Sequence, residues 1–324
     1  MQLDSYVPIL VSAFLALAAR PVGRRLPPAV AVRVLVPAGL LTAAGWVCAL
    51  GLLCCMADGQ LSFVAAEGHW SRAVLRADDP IAGPVAYVAG AALVLVAGAV
   101  VLATARRVRA VWVTRLLARQ VCSNVQGELV VLPDEAPEAF ALPSRGAGRI
   151  VVSTGMLRAL DAAERRVLFA HERAHLRGRH HWWLLGAQLA AAANPLLARL
   201  PATVDYLLER SADETAAGAV GDRKLAARAL ARAGLAALDH PAPHRAVGVA
   251  LSYTAQGVTD RVQALLVEPP RNRWPLVVAV TMAVVVAAVT VVEAGNDVED
   301  LFEQATYAQH AVPTVAAPHD GLVS

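Results

Sequence analysis

The chain has 324 residues, of which 57% are hydrophobic and only 17% are charged, and its net charge is +3. Soluble domains carry about 25% charged residues, so this composition excludes a protein that lies wholly in water. The same apolar content excludes disorder over most of the length, and four cysteines are too few for a disulfide scaffold. The composition is typical of a membrane protein that also contains folded material outside the bilayer.

Four apolar stretches predict membrane-spanning helices, because a helix needs about 20 apolar residues to cross the hydrocarbon core. They are residues 3–20, 34–57, 81–105 and 275–292. The first stretch could be a secretory signal, but it carries Asp4 and ends in arginines without a small-residue cleavage pattern. We therefore interpret it as a retained span.

The charged residues between the spans predict the orientation of the chain. Four arginines and no acid lie between the first two spans, residues 104–274 hold 23 basic against 15 acidic side chains, and residues 293–324 hold six acids and no base. Basic loops stay in the cytoplasm, so we expect the N-terminus outside, residues 104–274 inside and the tail outside. The basic excess is explained by this rule, and we infer no direct nucleic-acid binding from it.

These patterns predict a four-part organisation. Residues 1–105 would form three transmembrane helices, residues 106–274 a cytoplasmic α+β domain, and residues 275–292 the fourth transmembrane helix. Residues 293–324 would be a short extracytoplasmic tail that we expect to be disordered, because it is rich in Ala, Val and Pro and too short for an ordinary domain.

Local signals in the cytoplasmic part predict three short strands and a helix after them. The strands are residues 126–132, Ala139–Leu142 and Arg149–Ser153. Asp161 and Glu164 form a capping box that begins the helix, and Gly178 is a suitable residue to end it.

An H-E-x-x-H motif inside this helix predicts a metal site. Its histidines, His171 and His175, are four residues apart, so both imidazoles project from one face and can bind one Zn²⁺. Glu172 projects beside them and can accept a proton from water without being a ligand. On a second predicted helix, Glu209 can complete a His₂Glu site. Asp213, one turn later, can orient a ligand imidazole.

Two further histidines and an apolar segment follow the motif in the chain. If the helix continued, His180 and His181 would point away from the ligand face, and with two tryptophans beside them they are typical of a membrane interface. The following segment, residues 182–200, is apolar enough to enter the bilayer. It cannot cross completely, because His171 and Glu209 must reach one metal ion from the same side. We therefore expect either a helix buried in the domain or one that dips into the leaflet.

The motifs resemble those of known peptidases. HERAH followed by ERSAD resembles the gluzincin metallopeptidases, and AFALPSRGAGRIVVSTGMLRAL with NPL and the order of the spans resembles the BlaR/MecR-type membrane zinc metallopeptidases. The related HtpX and CAAX-protease group shares the zinc motifs but arranges its spans differently. In the antibiotic sensors of the BlaR/MecR type a penicillin-binding domain follows the last span. We expect this chain to lack it, so β-lactam sensing is not implied.

The resemblance implies a multi-pass α-helical membrane protein with an inserted cytoplasmic gluzincin-like α+β domain and one Zn²⁺ per chain. It also implies proteolysis of a cytoplasmic protein coupled to a membrane signal, often cleavage of a winged-helix, BlaI/MecI-like repressor. Arg261 is similar to an arginine that follows the zinc ligands in related peptidases, and it is our candidate for the oxyanion donor. A peptide substrate is expected to extend an edge strand formed by Arg149, Ile150, Val151, Val152 and Ser153.

Three functions remain open at this point. The first is a plasma-membrane zinc endopeptidase that cleaves a cytoplasmic regulator, and the second is an HtpX-like quality-control or processing protease for membrane proteins. The third is a non-enzymatic membrane sensor or scaffold. A structural zinc site is closed by four protein ligands, whereas only three candidates appear here beside a suitable acid, which favours an enzyme. The oligomeric state is left open.

Overall fold

The computed structural model describes residues 7–78, 83–122, 127–143, 148–239 and 255–311. The helices in these ranges are α1 (Val7–Arg25), α2 (Pro28–Asp58), α3 (Ser62–Gly68), α4 (Arg72–Asp78), α5 (Gly83–Cys122), α6 (Thr154–Ala159), α7 (Ala162–Arg177), α8 (His180–Ala193), α9 (Leu200–Val220), α10 (Arg223–Asp239), α11 (Ala255–Leu266) and α12 (Trp274–Ala311). The strands are β1 (Leu129–Leu132), β2 (Ala139–Leu142) and β3 (Arg149–Ser153), and a 3₁₀ turn, Pro195–Leu197, joins α8 to α9.

In the described part of the chain, four helices are long and apolar enough to cross a membrane, in agreement with the prediction of four spans. The spanning segments are Val7–Arg25, Pro28–Met56, Tyr87–Arg109 and Trp274–His310. Large apolar side chains such as Leu17 and Leu95 project outward from them, which is the pattern expected of helices that face lipid. The chain is a multi-pass membrane protein.

The third span and the inserted domain are joined by one continuous helix. The sequence predicted a boundary at residues 105 and 106, whereas α5 continues through Arg106 to Cys122. No glycine or proline occurs between residues 99 and 122, so no helix-breaking residue interrupts it where it leaves the bilayer.

The prediction that the tail is disordered is wrong for residues 293–311, which continue helix α12. Residues 312–324 lie outside the described part of the chain. The physical reason is a packing partner in the connection between the second and third spans. The ring of Phe302 meets the ring of Trp70 edge-on, with centroids 5.1 Å apart. Ala305 is buried in the same cluster.

The strands form one sheet in the order β1-β3-β2. Strand β3 is parallel to β1 and antiparallel to β2, so Arg149–Ser153 is central and the prediction that it is an edge strand is wrong. Four of its five residues are buried, as expected for a continuous apolar run covered by neighbours on both sides. Among the described strands, β1 and β2 form the edges.

Helix α7 begins and ends as predicted. The Asp161 side chain accepts hydrogen bonds from the backbone N–H groups of Ala163 and Glu164, and the Glu164 side chain accepts one from the N–H of Asp161. Gly178 is the C-cap. The helix that carries the H-E-x-x-H motif is therefore fixed at both ends by local interactions.

Helices α8 and α9 form a hairpin that packs among the spans. At its turn, Asn194 donates a 2.8 Å hydrogen bond to Ser12 Oγ in α1. Leu200 approaches Gly39 in α2 so closely that a Cβ at Gly39 would overlap it. Gly39 lies about 16 Å from the first residue of α2, at about 1.5 Å per residue, which is about half of a hydrocarbon core of about 30 Å. The hairpin thus enters the bundle of spans and returns, as the prediction for residues 182–200 required.

Candidate metal centre

The contact between α7 and α9 brings the three predicted ligands together. His171 Nε2 is 3.5 Å from one carboxylate oxygen of Glu209, and His175 Nε2 is 3.5 Å from the other. The two Nε2 atoms are 3.1 Å apart. Each residue can offer one donor atom, with all three donors within 4.8 Å of one another.

These distances fit a zinc ion. Zinc binds imidazole nitrogen and carboxylate oxygen at about 2.0–2.2 Å in tetrahedral geometry, which separates neighbouring ligand atoms by about 3.4 Å. The observed separations of 3.1–3.5 Å are close to this value. Among the residues that the structure describes, three form this group; three protein ligands would leave a fourth position for water or substrate, which is the arrangement of a catalytic zinc site.

Asp213 lies where the sequence placed it, behind a ligand imidazole. Its Oδ1 is 3.1 Å from His171 Nδ1, the ring nitrogen opposite the one that faces Glu209. A carboxylate at this position accepts the Nδ1–H, so the Nε2 lone pair remains available for a metal.

Arg261 contacts two of the predicted site residues and is itself only 2% exposed. Its Nε and Nη2 donate to the two oxygens of Asp213 at 2.8 and 2.7 Å, and its Nη1 is 2.9 Å from Glu209 Oε2. This guanidinium therefore orients Glu209, which is a candidate ligand. It also orients Asp213, which lies behind the candidate ligand His171. That Arg261 also contacts the substrate remains a prediction.

The ligand pKa values reflect burial and these charged neighbours. Burial acts to lower the pKa of His171, but its hydrogen bonds to Asp213 and Glu209 outweigh this and raise the pKa to about 10. Burial lowers the pKa of His175 to about 3, against the attraction of Glu209. Burial acts to raise the pKa of Glu209, whereas Arg261 and the imidazoles hold it well below its usual range. The charged neighbours thus outweigh burial at His171 and Glu209, whereas burial outweighs them at His175.

Glu172 lies beside the ligands without being one of them. It is 4% exposed, and burial raises its pKa to about 7, despite the opposing effect of His171. The backbone N–H of Ala141 in β2 is close enough to this carboxylate to act against the rise of its pKa. Because this N–H points away from β3, the outer edge of β2 faces the metal centre.

Sequence reasoning missed His180, and its interpretation as an interfacial residue is wrong. His180 is 9% exposed, and its Nδ1 is 3.0 Å from Nδ1 of His175. Helix α7 does not continue through it: Arg179 takes a left-handed conformation with φ 49°, and α8 begins in a new direction. Gly178 was the available signal, because it marks the helix end after which the angular spacing no longer applies. His181 is exposed, as expected.

Comparisons with known proteins agree with this chemistry. The chain is 29% identical to the "Protease HtpX homolog" of Acaryochloris marina (strain MBIC 11017) over 185 residues, which is 45% of this chain and 58% of that protein. The chain thus spans less than two thirds of the length of this relative. No solved structure matches. The expected enzyme class, a metalloprotease hydrolase, is supported by this relative and by a family match.

The family match extends over residues 103–203 and therefore contains only part of the candidate metal site. It includes the three strands, His171, Glu172 and His175, and it ends before Glu209, which only the fold brings to the histidines. Over residues 103–203 the chain matches the model of Peptidase family M48.

Proposed function

We propose that this protein is a membrane-embedded zinc metalloendopeptidase whose inserted domain lies on the cytoplasmic side of the plasma membrane. One zinc ion would be held by His171, His175 and Glu209. The observation that carries the proposal is the convergence of these three donors at 3.1–3.5 Å beside the buried carboxyl group of Glu172.

The proposed chemistry is hydrolysis of a peptide bond by water. Bound zinc would supply a Lewis acid that polarises the scissile carbonyl and acidifies a water molecule. Glu172 would take a proton from the attacking water and deliver it to the amine that leaves when the C–N bond breaks. A carboxyl group with its pKa raised to about 7 suits both halves of this transfer near neutral pH.

We propose that the substrate binds along the edge strand β2. The sequence led us to expect binding along Arg149–Ser153 as an edge strand, but this strand, β3, is central. The C=O of Glu138 accepts a hydrogen bond from Ser153 N–H in β3, whereas the N–H of Ala141 points to Glu172. Backbone groups alternate along a strand, so those of Ala139 and Ala141 are directed to the outer edge. An extended peptide can pair there as an additional strand, with its backbone next to Glu172.

Two substrate classes are proposed in order. The first is a protein in or at the membrane, processed as in the HtpX group. The match to a "Protease HtpX homolog" and the close packing of α8 and α9 against the spans favour it. The second is a soluble cytoplasmic regulator such as a BlaI/MecI-like repressor, which the BlaR/MecR resemblance of the sequence favours.

The test uses the full-length protein purified in detergent, with Glu172→Ala and His175→Ala as variants. We expect the wild type and Glu172→Ala to hold about one zinc per chain, and His175→Ala to lose it. Only the wild type should cleave a protein substrate. A wild type that neither holds zinc nor cleaves would contradict the proposal and favour a non-enzymatic sensor or scaffold. A Glu172→Ala variant that still cleaves would contradict the role proposed for Glu172.

The substrate class is tested in cells. Proteomics of membrane and soluble fractions would compare cells that contain the wild type with cells that contain Glu172→Ala. Fragments of membrane proteins that occur only with the wild type support the first substrate class, and a cut soluble regulator supports the second.

A further inference from the structure

Both candidate ligand imidazoles are contacted on the nitrogen that faces away from the metal position. Behind His171, Nδ1 meets the carboxylate of Asp213 at 3.1 Å. Behind His175, Nδ1 meets Nδ1 of His180 at 3.0 Å. The two ligands thus have different supports, one charged and one an imidazole.

We propose that His180 is a positioning residue of the metal centre: its neutral imidazole accepts a hydrogen bond from Nδ1–H of His175 and holds Nε2 of His175 toward the metal. This inference rests on the proposed zinc site. It assigns a role to a histidine that lies outside the H-E-x-x-H motif and is not a ligand.

The proton count across the pair of rings determines the tautomers. Two ring nitrogens at 3.0 Å share one proton in a hydrogen bond. If His175 offers its Nε2 lone pair to zinc, its proton lies on Nδ1, and Nδ1 of His180 must carry a lone pair. His180 then keeps its own proton on Nε2.

The chain is built to place the His180 ring at this position. Helix α7 ends at Arg177 and the left-handed Arg179 turns the backbone, so His180 begins α8 facing back toward His175. A Cβ at Gly178 would overlap the His180 ring. The His180 ring would therefore have to leave its present position against His175 if residue 178 carried a side chain.

Three variants of the full-length protein in detergent separate positioning from packing. His180→Leu removes the acceptor but fills the volume. His180→Asn keeps an acceptor oxygen on Cγ, at about the place of Nδ1. His181→Leu changes the neighbouring, exposed histidine and serves as the matched control. The readouts are the zinc affinity, measured by competition with a chelating dye, and the visible absorption spectrum of the protein loaded with Co²⁺.

We expect His180→Leu to bind zinc about 10–100-fold more weakly, the usual effect of removing a partner behind a ligand histidine. The Co²⁺ spectrum should change with it. His180→Asn should restore most of the affinity and the spectrum, and His181→Leu should match the wild type. Wild-type zinc affinity in His180→Leu would overturn the proposal, and so would a His180→Asn variant as weak as His180→Leu, because the residue would then act through its packing.

If His180→Leu fails to fold, as judged by gel filtration in detergent, Gly178→Ala replaces it. This change keeps the imidazole in the chain but forces its ring out of the present position, so the 3.0 Å contact with His175 should be disturbed and zinc binding should weaken in the same way. Unchanged affinity would overturn the proposal. These outcomes are distinct from a failure of the proposed protease, because zinc affinity is measured without a substrate. If the wild type binds zinc but cleaves nothing, the proposed protease fails, and the zinc affinities of the wild type and the His180 variants can still be compared.

Discussion

Arg261 and Asp213 form a buried ion pair with two parallel hydrogen bonds, 2.8 Å from Nε and 2.7 Å from Nη2 to the two carboxylate oxygens. The third nitrogen of the same guanidinium is 2.9 Å from Glu209. One cation from α11 therefore compensates two carboxylates of α9, one that is expected to bind zinc and one that lies behind His171.

Replacing Arg261 by Met should destabilise the fold and weaken the metal site together. The loss leaves two buried carboxylates without their cation, which costs about 3–5 kcal/mol in comparable buried pairs. Zinc should bind about 10–100-fold more weakly, because a ligand and a ligand partner both lose their orientation. The stability and the zinc affinity of Arg261→Lys should lie between those of the wild type and Arg261→Met, because an ammonium group keeps the charge but cannot form both parallel hydrogen bonds.

Thermal unfolding with and without zinc, and competition with a chelating dye, measure these two effects. Arg158→Met is the control, because the pair of Arg158 with Glu135 is exposed and such pairs contribute about 0–1 kcal/mol. An Arg261→Met variant with the zinc affinity of the wild type would show that the guanidinium does not support the site.

Gly39→Val should displace the hairpin of α8 and α9 from the spans. The new side chain would overlap Leu200 at the start of α9, and overpacking of this kind costs about 1–3 kcal/mol. Because Glu209 is on the same helix, zinc affinity should fall as well. Gly51→Val in the same span is the control, since no atom lies within 4 Å of a Cβ there. Equal unfolding temperatures for the two variants in detergent would show that the hairpin of α8 and α9 does not pack tightly against α2.

Residue 196, at the turn of the hairpin, should be shielded by lipid. Leu196 is 41% exposed, so the described part of the protein leaves a large part of this side chain uncovered. With all four cysteines replaced by alanine, we expect Leu196→Cys in membrane vesicles to resist a membrane-impermeant maleimide and to react after detergent is added. Leu235→Cys, at an exposed site on α10, should react in opened vesicles without detergent. If Leu196→Cys reacts as rapidly as Leu235→Cys in opened vesicles without detergent, the turn lies in water and the prediction is wrong.

Phe302→Ala should loosen the part of α12 that extends beyond the fourth span. The variant loses the edge-on contact with Trp70, and an aromatic pair alone contributes about 0.5–1.5 kcal/mol. Hydrogen exchange of residues 293–311 should therefore become faster. Tyr307→Ala changes an exposed aromatic on the same helix and should leave exchange unchanged. The packing account fails if both variants exchange like the wild type.

The features that the sequence predicted correctly depend on residues close together in the chain. The lengths of the apolar runs determined the four spans. The i, i+4 spacing placed His171 and His175 on one helix face, and the capping box at Asp161 fixed where that helix begins. The contact of Asp213 with His171 followed because Glu209 and Asp213 are one turn apart on the same helix.

The features that only the tertiary structure decided depend on residues far apart in the chain, or on one turn of the backbone. Strand β3 became central because β1 and β2 pair with its two sides, and its five residues alone do not specify their neighbours. The helix of residues 293–311 is stabilised by Trp70, more than 200 residues earlier. His180 meets His175 because Arg179 is left-handed, which redirects the chain in a way that helical periodicity does not encode. Local patterns therefore fixed which residues can bind a metal, and long-range packing decided what supports them.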